Sequence, residues 1–228
     1  MNQCFPGLRA VLFDLDGTLV DSAPDLTTAV NGLLGELGRG PYDETTVRGW
    51  IGDGARVLVH RALFAAFEGE LDAALEQRGL DLFMQHYRAC LTDTSQPYPG
   101  VAETLAALAD AGVGLACVTN KPEGLSRELL RALDLEAHFG VLVGGDTLAQ
   151  KKPHPAPLAH ALAALEVSAG QALMVGDSPN DLHAGRAAGC RVAAVTWGYG
   201  AADELRALTP DAVLDKMSQL HTLLDEAA

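Results

Sequence analysis

Short apolar runs alternate with amphipathic stretches over the second half of the chain. The apolar runs predict strands at residues 113–119, 139–143, 172–175 and 191–195, with a possible edge strand at 212–214. Helices are predicted between them at residues 101–111, 122–133, 155–165 and 181–188. Because strands joined by single helices pair in parallel through right-handed crossovers, the sequence predicts an α/β fold with a Rossmann-like, doubly wound parallel sheet.

One further strand, predicted at residues 9–13, is separated from this pattern by a long helical stretch. Helical patterns cover residues 23–37, 43–63 and 71–91, with a glycine-containing break at 50–56. Nothing between residues 24 and 94 resembles a strand. We therefore expect an inserted, all-helical cap domain at residues 22–95, and an α/β core domain made of residues 1–21 and 96–228.

Two carboxylates, Asp14 and Asp16, follow the first predicted strand. Two anions held 4 Å apart repel each other by about 4 kcal/mol at an effective dielectric constant near 20, so such a site needs compensating positive charge. A divalent cation is the obvious candidate. The alternative is that Asp16 and Gly17 simply form a turn, with the acids selected for turn chemistry.

Polar side chains also follow the later strands. In a doubly wound sheet, ligands bind beyond the carboxyl ends of the strands. Thr119 and Asn120 follow the second predicted strand, Lys152 comes after the third, in a Lys-Pro pair, and Asp177 follows the fourth. The hydroxyl and the amide could hydrogen-bond a phosphate oxygen, and the lysine could pair with the carboxylates.

Structural alternatives exist for each of these motifs. Residues 119–122 could form the N-cap of the helix that follows them. Paired lysines are usually solvated, and we expect Lys151 at the surface. Residues 178–181 suit the first turn of a helix, but that role does not explain Asp177.

Strong acidity limits the partners of this chain. Its 16 basic and 30 acidic residues give a net charge of −14, which argues against nucleic acid or an anionic membrane surface. No apolar run reaches transmembrane length, and the N-terminus lacks the pattern of a signal peptide, so we expect a cytoplasmic protein. The four scattered cysteines form no C-x-x-C pair and predict no disulfide.

Taken in order, the strand-end motifs resemble the four motifs of the haloacid dehalogenase-like (HAD) hydrolase superfamily. The first is Asp14-Leu-Asp-Gly-Thr-Leu-Val-Asp-Ser22, and Thr119-Asn120, Lys152-Pro153 and Gly176-Asp-Ser-Pro-Asn-Asp181 follow it. The resemblance extends over essentially all 228 residues. It points to phosphoryl chemistry, because the dehalogenases of the superfamily lack the second aspartate of the first motif, whereas an alkoxide leaving group needs a proton.

The resemblance implies a role for each catalytic residue. Asp14 would be the nucleophile that attacks phosphorus and becomes an aspartyl-phosphate. Asp16 would be the general acid/base that protonates the leaving alcohol and then activates water. Thr119 and Lys152 would stabilise the phosphate and the nucleophile, with Asn120 beside them.

The resemblance also implies a Mg²⁺ site. Asp14, the backbone carbonyl of Asp16 and Asp177 would be its ligands. Asp181 would hold the water molecules bound to the metal. A metal with oxygen ligands and retained waters suits the charge that develops in phosphoryl transfer.

Three segments are similar to bacterial phosphoglycolate phosphatases: residues 50–58, 120–122 and 144–153. In that family the first segment is the specificity loop of a C1-type helical cap. The similarity implies hydrolysis of 2-phosphoglycolate to glycolate and phosphate. Arg56, the one strong cation beside that loop, could bind the substrate carboxylate; a surface arginine is the alternative.

Other functions use the same motifs. A HAD phosphatase or phosphomutase acting on a sugar phosphate, or a pyrophosphatase, is the main alternative, since motifs do not fix the substrate. A non-catalytic phosphate-binding protein on the same fold belongs to a different class. We expect a small phosphate ester as the partner, no nucleic acid or membrane, and a monomer or homodimer.

Overall fold

Strand β1 lies at the centre of a six-stranded, parallel sheet with the order β5-β4-β1-β6-β7-β8. The computed structural model describes residue 5 and residues 7–223. Its strands are β1 (Ala10–Phe13), β2 (Val20–Asp21), β3 (Gln96–Pro97), β4 (Gly114–Val118), β5 (Val141–Val143), β6 (Ala172–Gly176), β7 (Arg191–Val195) and β8 (Ala212–Leu214). The predicted edge strand is therefore confirmed as β8.

Both faces of this sheet are buried, because successive side chains along a strand point to opposite faces and pack into two apolar clusters. Val11 and Phe13 of β1 pack into one apolar cluster, and Ala10 and Leu12 pack into the other. Such near-continuous apolar runs are typical of parallel strands covered by helices on both sides. The predicted α/β fold with a Rossmann-like, doubly wound parallel sheet is confirmed.

The helices agree with the sequence prediction in all but one case. They are α1 (Ala23–Glu36), α2 (Glu44–Arg48), α3 (Ala55–Ala66), α4 (Ala73–Cys90), α5 (Val101–Asp110), α6 (Glu123–Ala132), α7 (Ala156–Ala164), α8 (Pro179–Ala188) and α9 (Ala202–Ala207), with short 3₁₀ helices at Glu136–His138, Ala169–Gln171 and Met217–Leu223. The prediction missed α9, because six residues are too few for a clear helical period.

Helices α1 to α4 form a block between β2 and β3. Two glycines allow close contacts within this block: a Cβ on Gly32 of α1 would lie 2.6 Å from the ring of His86, and one on Gly79 of α4 would lie 2.7 Å from Leu63. Because glycine has no side chain, α1 and α3 can pack directly on α4 at these two positions. This block corresponds to the expected cap, although the domain boundaries at residues 21/22 and 95/96 stay a prediction.

Two chain segments connect the helical block to the sheet, and they pair with each other. Val20 lies opposite Pro97 and Asp21 opposite Gln96 in the antiparallel ladder of β2 and β3, which the sequence prediction missed. Next to this ladder, the buried Asp25 accepts hydrogen bonds from the backbone amides and hydroxyls of Thr94 and Ser95. Burial opposes ionisation of Asp25, but these hydrogen bonds outweigh it and lower its pKa.

Several sequence expectations concern features outside the site. Among the described residues, no helix is long and apolar enough to cross a membrane. Cys90, Cys117 and Cys190 are free and buried. Cys4, the N-terminal segment and the two ends of the predicted core domain (residues 1–4, 6 and 224–228) lie outside the described residues.

We expect Asp25→Ala to lower the free energy of unfolding by about 2–4 kcal/mol, because it leaves four donors of Thr94 and Ser95 without their acceptor. Urea unfolding monitored by circular dichroism measures the change. Asp203→Ala is the matched control, since its side chain is fully exposed, and its effect stays within about 0.5 kcal/mol. Equal effects of the two substitutions would contradict a structural role for Asp25.

Candidate active site

Three buried carboxylates meet at the carboxyl ends of the central strands. Asp14 follows β1, Asp177 follows β6, and Asp181 lies in the first turn of α8. Each contributes an oxygen atom, and these atoms all lie within 4.8 Å of one another. The juxtaposition follows from the sheet, since β1 and β6 are paired neighbours.

Lys152 is the cation of this cluster. Its ammonium contacts Oδ1 of Asp14 at 2.8 Å and Oδ1 of Asp181 at 2.7 Å, and it donates to the carbonyl of Val118. The side chain is 2% exposed, so these contacts account for its burial. The lysine therefore crosses from the loop before α7 to the ends of β1 and β4.

Asp177 is held in a fixed orientation by two donors. The hydroxyl of Thr18 donates to Oδ1 at 3.0 Å, and the backbone amide of Tyr199 donates to Oδ2 at 2.7 Å. Gly17 makes the approach possible, because it has a φ of +86° and a Cβ there would lie 2.3 Å from Oδ2 of Asp177. The glycine after Asp16 thus serves both the turn and the carboxylate cluster.

The pKa values of two of these carboxylates are raised. Burial and the charge of Asp181 raise the pKa of Asp14 to about 8, against the opposing charge of Lys152. Burial and Asp181 likewise raise the pKa of Asp177 to about 6. Burial would lower the pKa of Lys152, but Asp14 and Asp181 outweigh it and raise that pKa. The site is thus short of positive charge.

These residues fit a divalent metal ion. Asp14, Asp177 and Asp181 carry three negative charges when ionised, and Lys152 neutralises one of them. Buried carboxylate oxygens without nitrogen or sulfur donors suit a hard cation. Asp14 and Asp177 could hold such an ion. Asp181 lies beside them, and its two oxygens accept hydrogen bonds from Lys152 and from Ser178.

The carboxylate of Asp16 points elsewhere. It accepts a hydrogen bond from the hydroxyl of Ser22 at 2.5 Å and pairs with the ammonium of Lys121 at 2.9 Å. It does not belong to the group formed by Asp14 and its two partners. The two acids of the first motif therefore have different surroundings. Asp14 belongs to the cluster of three carboxylates, whereas Asp16 contacts Ser22 and Lys121.

Thr119 and Asn120 are both buried at the end of β4, beside Asp14 and Asp16. The amide of Asn120 donates to the carbonyls of Lys152 and of Gly52, each at 3.0 Å. Asn120 thus connects the core to the loop before α3. The predicted residues Asp14, Asp16, Thr119, Asn120, Lys152, Asp177 and Asp181 are all brought together, and their individual roles stay predictions.

A pocket lies between these core residues and the helical block. Asp14, Asp16, Thr119 and Lys121 line one side of it. The other side is largely apolar and comes from α1, α3, α4 and the loop before α3, through Leu26, Ile51, Leu58, Phe83 and Tyr87. Asp14 lies in the carboxylate cluster that binds Lys152, and Asp16 faces the same pocket from nearby. Two carboxylates placed in this way could serve as a nucleophile and as a proton donor.

Two expectations are corrected by the structure. Arg56, which the sequence assigns to the substrate carboxylate with a surface position as the alternative, is exposed near the start of α3. Its guanidinium donates to Gln77 of α4 at 3.5 Å, and it does not line the pocket. Lys151, expected at the surface, is half-buried, because its ammonium donates to the carbonyl of Asp53. Sequence proximity to the loop did not fix the direction of either side chain.

Sequence reasoning missed Lys121 and Tyr199. Lys121 is 4% exposed and pairs with Asp16. The hydroxyl of Tyr199 accepts hydrogen bonds from the amides of Ser22 and Ala23, while its own amide binds Asp177. The available signals were a lysine directly after a strand end in an acidic chain, and a tyrosine between two glycines after the fifth predicted strand.

We expect Asp177 to make the metal-free protein less stable as the pH rises. Its folded-state pKa of about 6 exceeds its ordinary value of 3.8, so its proton favours folding at low pH, and this contribution is lost as the pH rises through 6. In EDTA, Asp177→Asn therefore gains stability relative to the parent, on the order of 2–3 kcal/mol between pH 4 and pH 7. Urea unfolding over this pH range measures the difference.

The control for this measurement is Asp110→Asn, an exposed acid at the end of α5. Its unfolding free energy is expected to run parallel to that of the parent at every pH. If Asp177→Asn also ran parallel to the parent, the raised pKa of Asp177 would be wrong.

Comparisons with known proteins agree with this geometry. A family model described as haloacid dehalogenase-like hydrolase matches residues 11–195. The phosphoglycolate phosphatase of Colwellia psychrerythraea is 44% identical over 214 residues, covering 93% of this chain and 95% of that protein; that of Nitrosospira multiformis is 42% identical, covering 97% of each. A crystal structure of a predicted phosphoglycolate phosphatase from Haemophilus somnus 129PT superposes with a TM-score of 0.90 and 36% identity, covering 95% of this chain and 98% of that one. Together with the buried carboxylates and Lys152, the family match and these relatives show that the chain belongs to the haloacid dehalogenase-like hydrolases.

Proposed function

We propose that the protein is a Mg²⁺-dependent phosphatase that hydrolyses 2-phosphoglycolate to glycolate and phosphate through an aspartyl-phosphate on Asp14. The observation that carries this proposal is the arrangement at the pocket: Asp14 lies in a buried anionic cluster against Lys152, and Asp16 faces the same pocket from separate surroundings. Substrate identity rests on the phosphoglycolate phosphatases, which are similar over nearly the whole chain.

In the first step a carboxylate oxygen of Asp14 forms a bond to phosphorus, and the bond from phosphorus to the glycolate oxygen breaks. Asp16 transfers its proton to that oxygen, so that glycolate leaves as an alcohol rather than as an alkoxide. In the second step Asp16 takes a proton from water, the water oxygen bonds to phosphorus, and the bond to Asp14 breaks. The proton taken from water replaces the one given to glycolate, and Asp14 is free for another turnover.

Charge stabilisation comes from donors already in position. Lys152 holds Asp14 at 2.8 Å and keeps the nucleophile in one orientation. Thr119 and the backbone at the end of β4 offer neutral donors to the phosphate oxygens. Bound Mg²⁺, held by Asp14, Asp177 and the backbone carbonyl of Asp16, with Asp181 fixing its waters, would supply the positive charge that phosphoryl transfer needs.

We propose that residues 22–95 act as a cap that closes over the pocket. The cap loop at residues 52–54 is held by three core side chains: Asn120 donates to Gly52, Lys151 to the carbonyl of Asp53, and Asn180 to the carboxylate of Asp53 at 2.8 Å. Closure excludes water, which protects the aspartyl-phosphate and strengthens the electrostatic contacts inside.

The remaining expectations about partners and location belong to the same proposal. The substrate is a small phosphate ester, and a net charge of −14 disfavours nucleic acid and anionic membranes as partners. The cytoplasmic location and the monomeric or homodimeric state stay predictions.

Measurement of kcat/KM over a panel of phosphate esters in Mg²⁺ tests the proposal. We expect 2-phosphoglycolate to rank above hexose phosphates and pyrophosphate, and EDTA to abolish turnover. Asp14→Asn is expected to reduce kcat by about 10⁴-fold or more, because it removes the nucleophile, without lowering the melting temperature.

Two outcomes would contradict this proposal in different ways. A higher kcat/KM for a hexose phosphate or pyrophosphate would favour the alternative functions on the same fold. Unchanged turnover in EDTA or in Asp14→Asn would contradict the mechanism itself.

Proton transfer by Asp16 predicts a dependence on the leaving group. We expect Asp16→Asn to reduce kcat/KM by about 10²–10⁴-fold on 2-phosphoglycolate, whose alkoxide needs a proton. The loss of activity in the first step is expected to be much smaller on p-nitrophenyl phosphate, whose leaving group is stable as an anion. The burst of p-nitrophenol measures that step separately from hydrolysis of the aspartyl-phosphate. Equal losses on the two substrates would exclude Asp16 as the general acid.

A further inference from the structure

Lys121 is a buried cation to which the mechanism above gives no role. It lies in the loop after β4, next to Asn120, and its side chain is 4% exposed. Its ammonium lies 2.9 and 3.3 Å from the two oxygens of Asp16 and donates to the hydroxyl of Tyr87. Burial of a lysine is costly unless its charge is used, and a single partially exposed carboxylate is its only charged partner among the described residues.

The position of Lys121 in the pocket is distinctive. Of the described residues that line the pocket, Lys121 is the one basic side chain. Lys152 is bound to the carboxylate cluster and to the carbonyl of Val118, on the phosphate side. An anionic group on the far side of Asp16 would therefore meet Lys121 and no other cation of the lining.

Tyr87 supplies a second donor at the same place. Its hydroxyl, on helix α4 of the block between β2 and β3, accepts a hydrogen bond from Lys121. The hydroxyl keeps its own proton, because burial and the charge of Asp16 raise its pKa well above the ordinary value. No hydrogen bond donated by this hydroxyl is found in the part of the chain that the structure describes. The proton is thus available to an acceptor in the pocket.

We propose that Lys121, together with Tyr87, binds the carboxylate of the leaving group and is thereby the residue that selects 2-phosphoglycolate. This inference rests on the proposed function and names the specificity determinant within the same pocket. It assigns to Lys121 the role that the sequence suggested for Arg56.

The size of the substrate agrees with this assignment. The leaving oxygen must contact Asp16 to receive its proton, and in 2-phosphoglycolate the carboxylate carbon is two bonds from that oxygen. A site for so short a leaving group must lie directly beside the general acid, which is where Lys121 lies, 2.9 Å from Asp16. The apolar side chains of Leu58 and Phe83 also line the pocket, and they offer no hydrogen-bond partners for the hydroxyls of a sugar.

The alternative is that Lys121 only orients Asp16 and does not bind the substrate carboxylate. A substrate that lacks the carboxylate separates these two roles. Ethyl phosphate has the same backbone as 2-phosphoglycolate but lacks the carboxylate. A residue that only orients the general acid affects both esters by the same factor. A residue that binds the carboxylate affects 2-phosphoglycolate more.

The test is the ratio of kcat/KM for 2-phosphoglycolate to that for ethyl phosphate, measured on the wild type, Lys121→Met, Lys121→Arg and Tyr87→Phe. We expect Lys121→Met to reduce this ratio by about 10- to 100-fold, the usual effect of a charge-assisted hydrogen bond. Lys121→Arg is expected to retain part of the ratio, and Tyr87→Phe to reduce it by a smaller factor. Because both substrates are measured on one preparation, partial misfolding cancels from the ratio.

Arg56→Met is the decisive comparison, since it removes the cation that the sequence favoured. We expect this variant to keep the wild-type ratio. If Arg56→Met reduced the ratio and Lys121→Met did not, the proposal would be overturned.

Failure of this inference is distinguishable from failure of the proposed function. A wild type that prefers 2-phosphoglycolate, with a ratio unchanged in Lys121→Met, overturns the role of Lys121 and leaves the function intact. A wild type that prefers another carboxylated ester, such as 2-phospholactate, through Lys121 overturns the substrate but supports the carboxylate site. A wild type with no preference for carboxylated esters overturns both.

Discussion

Repulsion among buried carboxylates is the constraint on which the rest of the structure depends. Asp14, Asp177 and Asp181 lie within 4.8 Å of one another with a single lysine to balance them. Such an arrangement persists only if contacts with the surrounding fold hold the carboxylates in place. The hydroxyl of Thr18 and the backbone amide of Tyr199 do this for Asp177 by donating hydrogen bonds to it. A divalent cation bound between these carboxylates would relieve this repulsion.

Sheet topology brings the acids to one edge of the sheet. Strand β1 lies between β4 and β6, so that the loops after these three strands meet at one edge. Asp14, Thr119 and Asp177 occupy equivalent positions one residue past their strands. The chain reverses its direction of winding at this point, which opens a crevice that helices do not fill.

The residues that could be predicted from the sequence are those whose position depends on the strands. A polar residue that directly follows a buried strand of a parallel sheet must lie at the carboxyl edge of that sheet. For this reason Asp14, Thr119 and Asp177 could be assigned to one site. Side chains on loops and helices carry no such constraint. Lys121, Lys151 and Arg56 are similar cations in sequence, and tertiary packing alone buries the first, half-buries the second and exposes the third. The ladder of β2 and β3 was missed for another reason, since two residues show no periodicity.

Pairing of β2 with β3 makes the helical block an insertion whose two ends touch. Asp21 and Gln96 are opposite each other, so the chain leaves the sheet and returns to it at nearly the same point. The hydrogen bonds between the strands of the core sheet therefore do not depend on the length or shape of what lies between these two residues. Because the entropy of closing a loop grows slowly with its length, such an insertion can be lengthened or exchanged in evolution at little cost. The apolar wall that the helical block contributes to the pocket can thus diverge while the carboxylate cluster of the core stays unchanged.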